Sequence, residues 1–252
     1  MAAGQTGTVI DVRPLTTTGE FEAAVQIQKD IWGFDDIELL PLRLFVVSTK
    51  VGGQVLGAFD GGRLVAFLIA IPGIRADGRR YLHSHMLGVL AEYRDRGLGR
   101  RLKLEQRREA LSRGITLVEW TFDPLELKNA FFNLQRLGAV MRRFNPNQYG
   151  TTSSHLHGGL PTDRLVAEWY LASPRAEAIA NGQPFQRPLI EERISVPADI
   201  AEIRRSDPKR ARDIQADIGQ RFQEHFKRGQ AVIGFEVSPD AGTYLIGPWE
   251  SE

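Results

Sequence analysis

The chain has 252 residues, 42% hydrophobic and 25% charged, with a formal net charge of +1. That balance is typical of a globular protein, and it argues against nucleic-acid binding through the basic stretch Arg94–Arg108. The absence of cysteine excludes disulfides, thiolate metal sites and an acyl-cysteine intermediate. Met1–Gly7 lacks the basic start and apolar core of a signal peptide, and no apolar run approaches the roughly 18 residues of a membrane span. A cytoplasmic chain with no membrane partner is therefore expected.

In chain order, Val9–Leu15 reads as a strand. Thr18-Gly19-Glu20 opens a helix whose Phe21, Ala24, Val25, Ile27 and Ile31 give an apolar stripe, ending near Trp32-Gly33. Pro41 to about Lys50 reads as a second helix with Pro41 at its start. Gln54–Phe59 and Arg63–Ile71 are strands around the hairpin signal Asp60-Gly61-Gly62, and Pro72-Gly73 is expected to end the second. Tyr81–Val89 is a further strand, Leu98 to about Arg113 a helix stopped by Gly114, and Ile115–Phe122 a buried strand. Lys128–Leu137 is helical up to Gly138, and Ala139–Phe144 is a short strand. Gly150–Pro161 reads as a long polar loop, Arg164–Leu171 as a strand, Ala176–Ala180 as a short helix and Gln183–Pro188 as a linker. Asp207-Pro208 then starts an amphipathic helix, with Ala211, Ile214, Ile218, Phe222 and Phe226 on its apolar face. Gly229 ends it, and Ala231–Val237 and Thr243–Ile246 read as strands.

The most informative stretch is Arg94-Asp95-Arg96-Gly97-Leu98-Gly99, between a strand and a helix. A helix N-terminus presents backbone N–H groups and the positive end of its dipole, and glycine removes side chains where a phosphate must come close. Arg94, Arg96, Arg100 and Arg101 add positive charge, so the stretch reads as a pyrophosphate cradle. A Walker loop would need a Gly-Lys-Ser/Thr ending, and a dinucleotide turn would need a third glycine where Leu102 stands.

What remains, Arg-x-x-Gly-x-Gly, resembles motif A of the GNAT N-acetyltransferase superfamily, (Gln/Arg)-x-x-Gly-x-(Gly/Ala), where the turn binds the pyrophosphate of coenzyme A. The order of strand, cradle, helix, strand, helix, Leu137-Gly138 and strand is also that of the superfamily. The resemblance covers roughly residues 8–150. It implies an α/β fold of the mixed α+β kind: a GNAT-like central mixed sheet with a splayed strand pair, flanked by helices. This domain is expected over residues 1–160. Residues 161–252 are expected as a C-terminal α+β extension that completes the sheet, forms a small subdomain or helps to build the acceptor site.

On that resemblance, a pantetheine arm enters between the strands carrying Met86–Val89 and Trp120–Phe122, held by the backbone of Leu87, Gly88 and Val89. The backbone of Arg96, Gly97, Leu98, Gly99 and Arg100, with Arg94, holds the pyrophosphate. Gly88 reads equally as a close-approach glycine and as tight packing under a neighbouring side chain. Arg101, Lys103 or Arg107 are candidates for the remaining phosphate, against the alternative of a solvated helix face. His83 and His85 alternate onto one strand face and titrate near neutral pH, which makes both candidate general bases. Some family members place a carboxylate base at the position that His83 occupies. Paired histidines at 83/85 and 155/157 also admit a metal reading, but no carboxylate stands at an evident spacing and no metal is expected.

The chain departs from the family where many members carry the Tyr that protonates the departing thiolate: here that residue is Leu134. A frequent Asn of the same helix is replaced by Leu127. Asn129 and Asn133 are candidates for the cofactor contacts instead, and Tyr149, Tyr93 or water for the acid. Acceptor contacts are expected from the polar loop and the strand after it, from His155, His157, Asp163 and Arg164, with Asp163 or Glu168 for an amine and Arg164 for a carboxylate. A plain surface connection is the alternative.

The expected function is transfer of an acetyl group from the co-substrate acetyl-CoA to an amine of a small molecule or peptide. Attack would be direct, in a ternary complex, since no cysteine can carry the acyl group. A longer acyl donor stays open. The alternative is a non-catalytic coenzyme A-binding regulatory or structural domain, which Leu134 favours. The amphipathic helix after Asp207 suits an interface as well as a core, so a homodimer is also open.

Overall fold

A computed structural model describes residues 10–150, 160–186 and 189–249. Its contacts divide the chain into two compact units between Ile115 and Thr116.

The first unit is an antiparallel meander of β1 (Asp11–Pro14), β2 (Gln54–Asp60), β3 (Arg63–Ile74) and β4 (Arg80–Val89), paired in that order. The β2–β3 turn uses Gly61 and Gly62 at φ 54° and 92°, a conformation that costs glycine little. Leu64–Ala70 of β3 are buried without alternation because both faces of the sheet are covered. On one face lie α1 (Thr18–Trp32) and α2 (Leu42–Lys50), whose Trp32 and Phe45 pack on Phe67 at ring distances of 6.2 and 5.9 Å. On the other lies α3 (Leu98–Ser112), where Gln106 Nε2 donates to Gln54 Oε1 at 3.0 Å. The start of α1 is a capping box: the Glu20 amide donates to Thr17 Oγ1 at 3.3 Å, and the Thr17 amide donates to Glu20 Oε2 at 3.1 Å.

Two details of this unit differ from the sequence reading. Pro72-Gly73 does not end β3. Beyond the Gln54–Ala70 pair the strand has run past β2 and pairs only with β4, and a proline is tolerated at such an edge position. The β3–β4 ladder also passes from Ile69–Met86 to Ala70–Ser84, skipping His85. β4 bulges there and its pleat reverses. Ser84 faces α3, accepting from Lys103 Nζ at 2.8 Å, whereas Gly88 faces α1.

The second unit holds β5 (Leu117–Phe122), β6 (Val140–Asn145), β7 (Arg164–Tyr170), β8 (Glu192–Pro197), β9 (Gln230–Val237) and β10 (Ala241–Pro248). Their order is β5-β7-β6-β9-β10-β8, with antiparallel pairing throughout. The strands after residue 160 thus complete the sheet that contains β5 and β6. The helices are α4 (Leu127–Phe131), continued by a π-helical stretch Phe132–Leu137, then α5 (Pro174–Ala180), α6 (Ile200–Ser206) and α7 (Pro208–Lys227). Gly138 ends the π stretch at φ 80°. Neither β8 nor α6 was expected: β8 buries only Ile194 and Val196, and α6 is too short to display a helical period. The core centres on Tyr244, with Phe222 and Phe235 at 5.1 and 4.9 Å, and on the edge-to-face pair Trp120–Trp169 at 6.2 Å.

Candidate active site

A short 3₁₀ turn, Ala91–Tyr93, leaves β4 and leads through Arg94 and Asp95 into α3. Asp95 has φ 59°, a value that Asp tolerates better than most residues, and Gly97 has φ 75° as N-cap. A left-handed residue followed by a helical one turns successive N–H groups to one side. Gly97 offers no side-chain cap, and the first turn of α3 holds no acid. The first intrahelical bond runs from the Arg101 amide to the Gly97 carbonyl at 3.0 Å. A Cβ built on Gly97 meets nothing within 4 Å, so the space before the turn is open. Leu98 is buried at 3% exposure and anchors the helix start, while Gly99 and Arg100 are half-buried.

Side chains brace this turn. Tyr93 Oη donates to Asp60 Oδ2 at 2.7 Å, and that bond raises the Tyr93 pKa. Arg63 pairs with Glu92 at 2.9 Å, and the Arg96 guanidinium lies 5.2 Å from the Tyr93 ring centroid. Arg94 Nε donates to the Val89 carbonyl at 3.2 Å, joining the end of β4 to the turn. Arg101 donates to the Ile10 carbonyl at 2.7 Å. Lys103 is not available to a phosphate: it is 3% exposed and donates to Ser84 Oγ and, at 3.1 Å, to Gln106 Oε1. Burial holds its pKa well below the usual lysine value.

On β4, His83 is half-buried and His85 exposed, and their ring centroids are 5.9 Å apart. Their pairing therefore arises across the bulge rather than from simple alternation. Partial desolvation lowers the His85 pKa, favouring the neutral ring. Leu87, Gly88 and Val89 pair with Leu68, Phe67 and Ala66 of β3. A Cβ on Gly88 would lie 2.7 Å from Ile31 Cδ1 and 2.9 Å from Trp32, so packing under α1 already requires glycine there.

In the second unit, Asn129 is exposed but Asn133 is 3% exposed, its Oδ1 accepting from Trp120 Nε1 at 3.2 Å. The two asparagines therefore do not share a surface. Leu134 is fully buried. Tyr149 is 50% exposed, with its hydroxyl 3.5 Å from Thr121 Oγ1 and the Arg164 guanidinium 5.5 Å from its ring centroid. Asp163 is taken by the base of the loop: its Oδ1 accepts from the Asn147 amide at 2.8 Å, and desolvation raises its pKa. It lines a groove of about 420 Å³ with Phe144, Gly219 and Lys227. His155 and His157 lie outside the described residues.

Glu168 is not open to an amine. It is 1% exposed and bound by Arg142, Arg143 and the Tyr170 hydroxyl. Burial pushes its carboxyl up, but those partners outweigh it and leave the pKa below the ordinary carboxylate value. Sequence reading missed this cluster. The available signal was Glu119 and the Arg142-Arg143 pair inside otherwise apolar strands. Among the described residues no cluster of metal-ligating side chains occurs, and no helix is long and apolar enough to cross a membrane.

No curated protein matches the sequence significantly. Among solved structures, the ribosomal-protein-S18-alanine N-acetyltransferase from Escherichia coli is similar at TM-score 0.52 and 19% identity, over 66% of this chain and 96% of that one. A GNAT-family acetyltransferase from Streptococcus pneumoniae is similar at TM-score 0.52 and 16% identity, over 64% and 98%. The NatC complex bound to Gag peptide and CoA is similar at TM-score 0.51 and 12% identity, over 64% and 98%. At these identities the likeness is one of fold. The sequence model of the acetyltransferase (GNAT) family matches residues 21–138, a span that contains the bulged strand and the whole cradle. Residues 21–138 thus carry a GNAT acetyltransferase domain by sequence model, set in a fold shared with solved GNAT acetyltransferases.

Proposed function

We propose that the chain is an N-acetyltransferase that takes its acetyl group from acetyl-CoA and transfers it to an amine by direct attack in a ternary complex. The observation that carries this reading is the open, uncapped N-terminus of α3 behind Arg94-Asp95-Arg96-Gly97-Leu98-Gly99. The amides of Leu98, Gly99 and Arg100 and the positive dipole end suit a pyrophosphate, and Arg94 and Arg96 add charge at the rim. Bound acetyl-CoA supplies the thioester as electrophile. The backbone of Leu87–Val89 holds the arm on this reading, and His83 or His85 takes the proton of the acceptor ammonium. A neutral His85 is the protonation state that such a base requires. The tetrahedral oxyanion needs a backbone donor, for which β4 near its bulge is the candidate.

The full burial of Leu134 supports the second reading, a coenzyme A-binding domain without turnover, because no hydroxyl stands at that position to protonate the thiolate. Tyr149 is the remaining side-chain candidate for that role. The two readings separate in one assay, release of free thiol from acetyl-CoA in the presence of a panel of amines, including amino acids, polyamines and peptides. Turnover with any of them supports the transferase. Binding of acetyl-CoA without turnover supports the alternative.

A further inference from the structure

The charged cluster on the second unit's sheet plays no part in the reading above. Glu119 and Glu168 are cross-strand partners on β5 and β7, with side chains only 5% and 1% exposed. Like charges opposite each other on neighbouring strands are unfavourable. Buried ion pairs rarely outperform apolar residues of similar volume as a source of stability. The fold nevertheless makes room for them. The β6–β7 ladder passes from Met141–Ala167 to Arg143–Val166, skipping Arg142, and this bulge lets two consecutive arginines reach one carboxylate. Arg142 Nε and Nη2 donate to Glu168 Oε2 at 3.0 and 2.6 Å. Arg143 Nε donates to Glu168 Oε1 at 2.9 Å, and its Nη2 pairs with Glu119 Oε1 at 2.7 Å.

The glutamates thus fix two guanidinium planes whose side chains stay 29% and 46% exposed. The described bonds use Nε and Nη2 of each arginine, which leaves the Nη1 edges for a ligand. Beside them, the Tyr170 ring lies 5.8 Å from the Arg142 guanidinium and 6.2 Å from Trp249, tilted by 32°. Trp249 Nε1 is buried and has no acceptor among the described residues. A buried donor without an acceptor marks the place of a water or a ligand atom.

We propose that Arg142, Arg143 and Trp249 Nε1 form a binding site for a small carboxylate carrying a flat apolar group. The carboxylate meets the guanidinium edges and the indole N–H, and the flat group lies against Tyr170 and Trp249. The site stands independently of the coenzyme A cradle, so its test contains no acetyl-CoA.

The full chain is titrated calorimetrically with benzoate and, as the uncharged isostere, with benzamide. Benzoate is expected to bind about tenfold or more tightly than benzamide, because charge-assisted bonds to arginine are lost with the amide. Arg143→Gln should weaken benzoate about tenfold. Trp249→Phe, which keeps an aromatic ring, should weaken it about threefold through loss of one donor. Should Arg143→Gln fail to fold, the benzamide comparison and Trp249→Phe decide. Equal affinity for benzoate and benzamide, no binding of benzoate to the parent, or unchanged benzoate binding in Trp249→Phe overturns the site.

Discussion

Helices α3 and α7 begin in opposite ways. At α7, Asp207 accepts from the Arg210 amide at 3.0 Å and Pro208 removes one amide that would otherwise lack a partner. At α3, Gly97 supplies no cap, no acid stands in the first turn and arginines surround the opening. The α7 end is closed by its own sequence, as expected of an element whose task is to pack Ala211, Ile218 and Phe222 into a core. The N-cap of α3 supplies no such side-chain bond, and on the proposed reading its amides serve a ligand. A glycine N-cap costs a helix only roughly a few tenths of a kcal/mol against a capping side chain, so the fold tolerates an open end at Gly97.

The contrast can be sharpened by breaking other parts of each unit. The largest expected effect is on folding in the second unit. Arg143→Met leaves Glu119 and Glu168 buried with fewer partners, and denaturant unfolding should register a loss of about 3 kcal/mol. A loss below about 1 kcal/mol would mean that these carboxylates relax into water. In the first unit, His85→Ala and His83→Ala test the base. The one that accepts the proton should lower kcat/KM about 100-fold, with acetyl-CoA affinity unchanged. Because desolvation lowers the His85 pKa, the acid limb of the pH–rate profile should fall below the ordinary 6.5 if His85 is the base.

A smaller effect concerns Lys103. Its pKa is held well below 10.5 by burial, so the unfolded chain binds this proton over a pH window in which the folded chain does not. Stability should therefore rise with pH through that window, toward 10.5. Lys103→Met should remove that slope, and parallel pH–stability curves for parent and variant would contradict the assignment. The smallest effect is expected at the closed helix end. Asp207→Ala should cost about 1 kcal/mol of stability without altering acetyl-CoA affinity.

Features set by chemistry within a few residues were legible in the sequence. The Gly33 and Gly138 stops, the Asp60-Gly61-Gly62 turn, the Asp207 cap and the turn from β4 into α3 all lie where the sequence reading puts them. What escaped depends on partners distant in the chain. The bulges at His85 and Arg142 are properties of a ladder between two strands, and neither strand declares its register alone. The burial of Lys103 needs Ser84 and Gln106 beside it, and the fixed arginines need Glu119 and Glu168. Gly88 shows the same limit: its close packing under Ile31 and Trp32 depends on a helix far earlier in the chain.

The central claim is that the open end of α3 holds the pyrophosphate of coenzyme A. Its most direct test is calorimetric titration of acetyl-CoA into the parent chain and into Gly97→Glu, with thermal unfolding of both as a control for folding. Glutamate there must adopt the strained φ of 75° and places a carboxylate where the phosphates would sit. The account predicts micromolar binding to the parent and a loss on the order of 100-fold in the variant, with the fold retained. No binding to the parent, or equal binding to a folded variant, would contradict it.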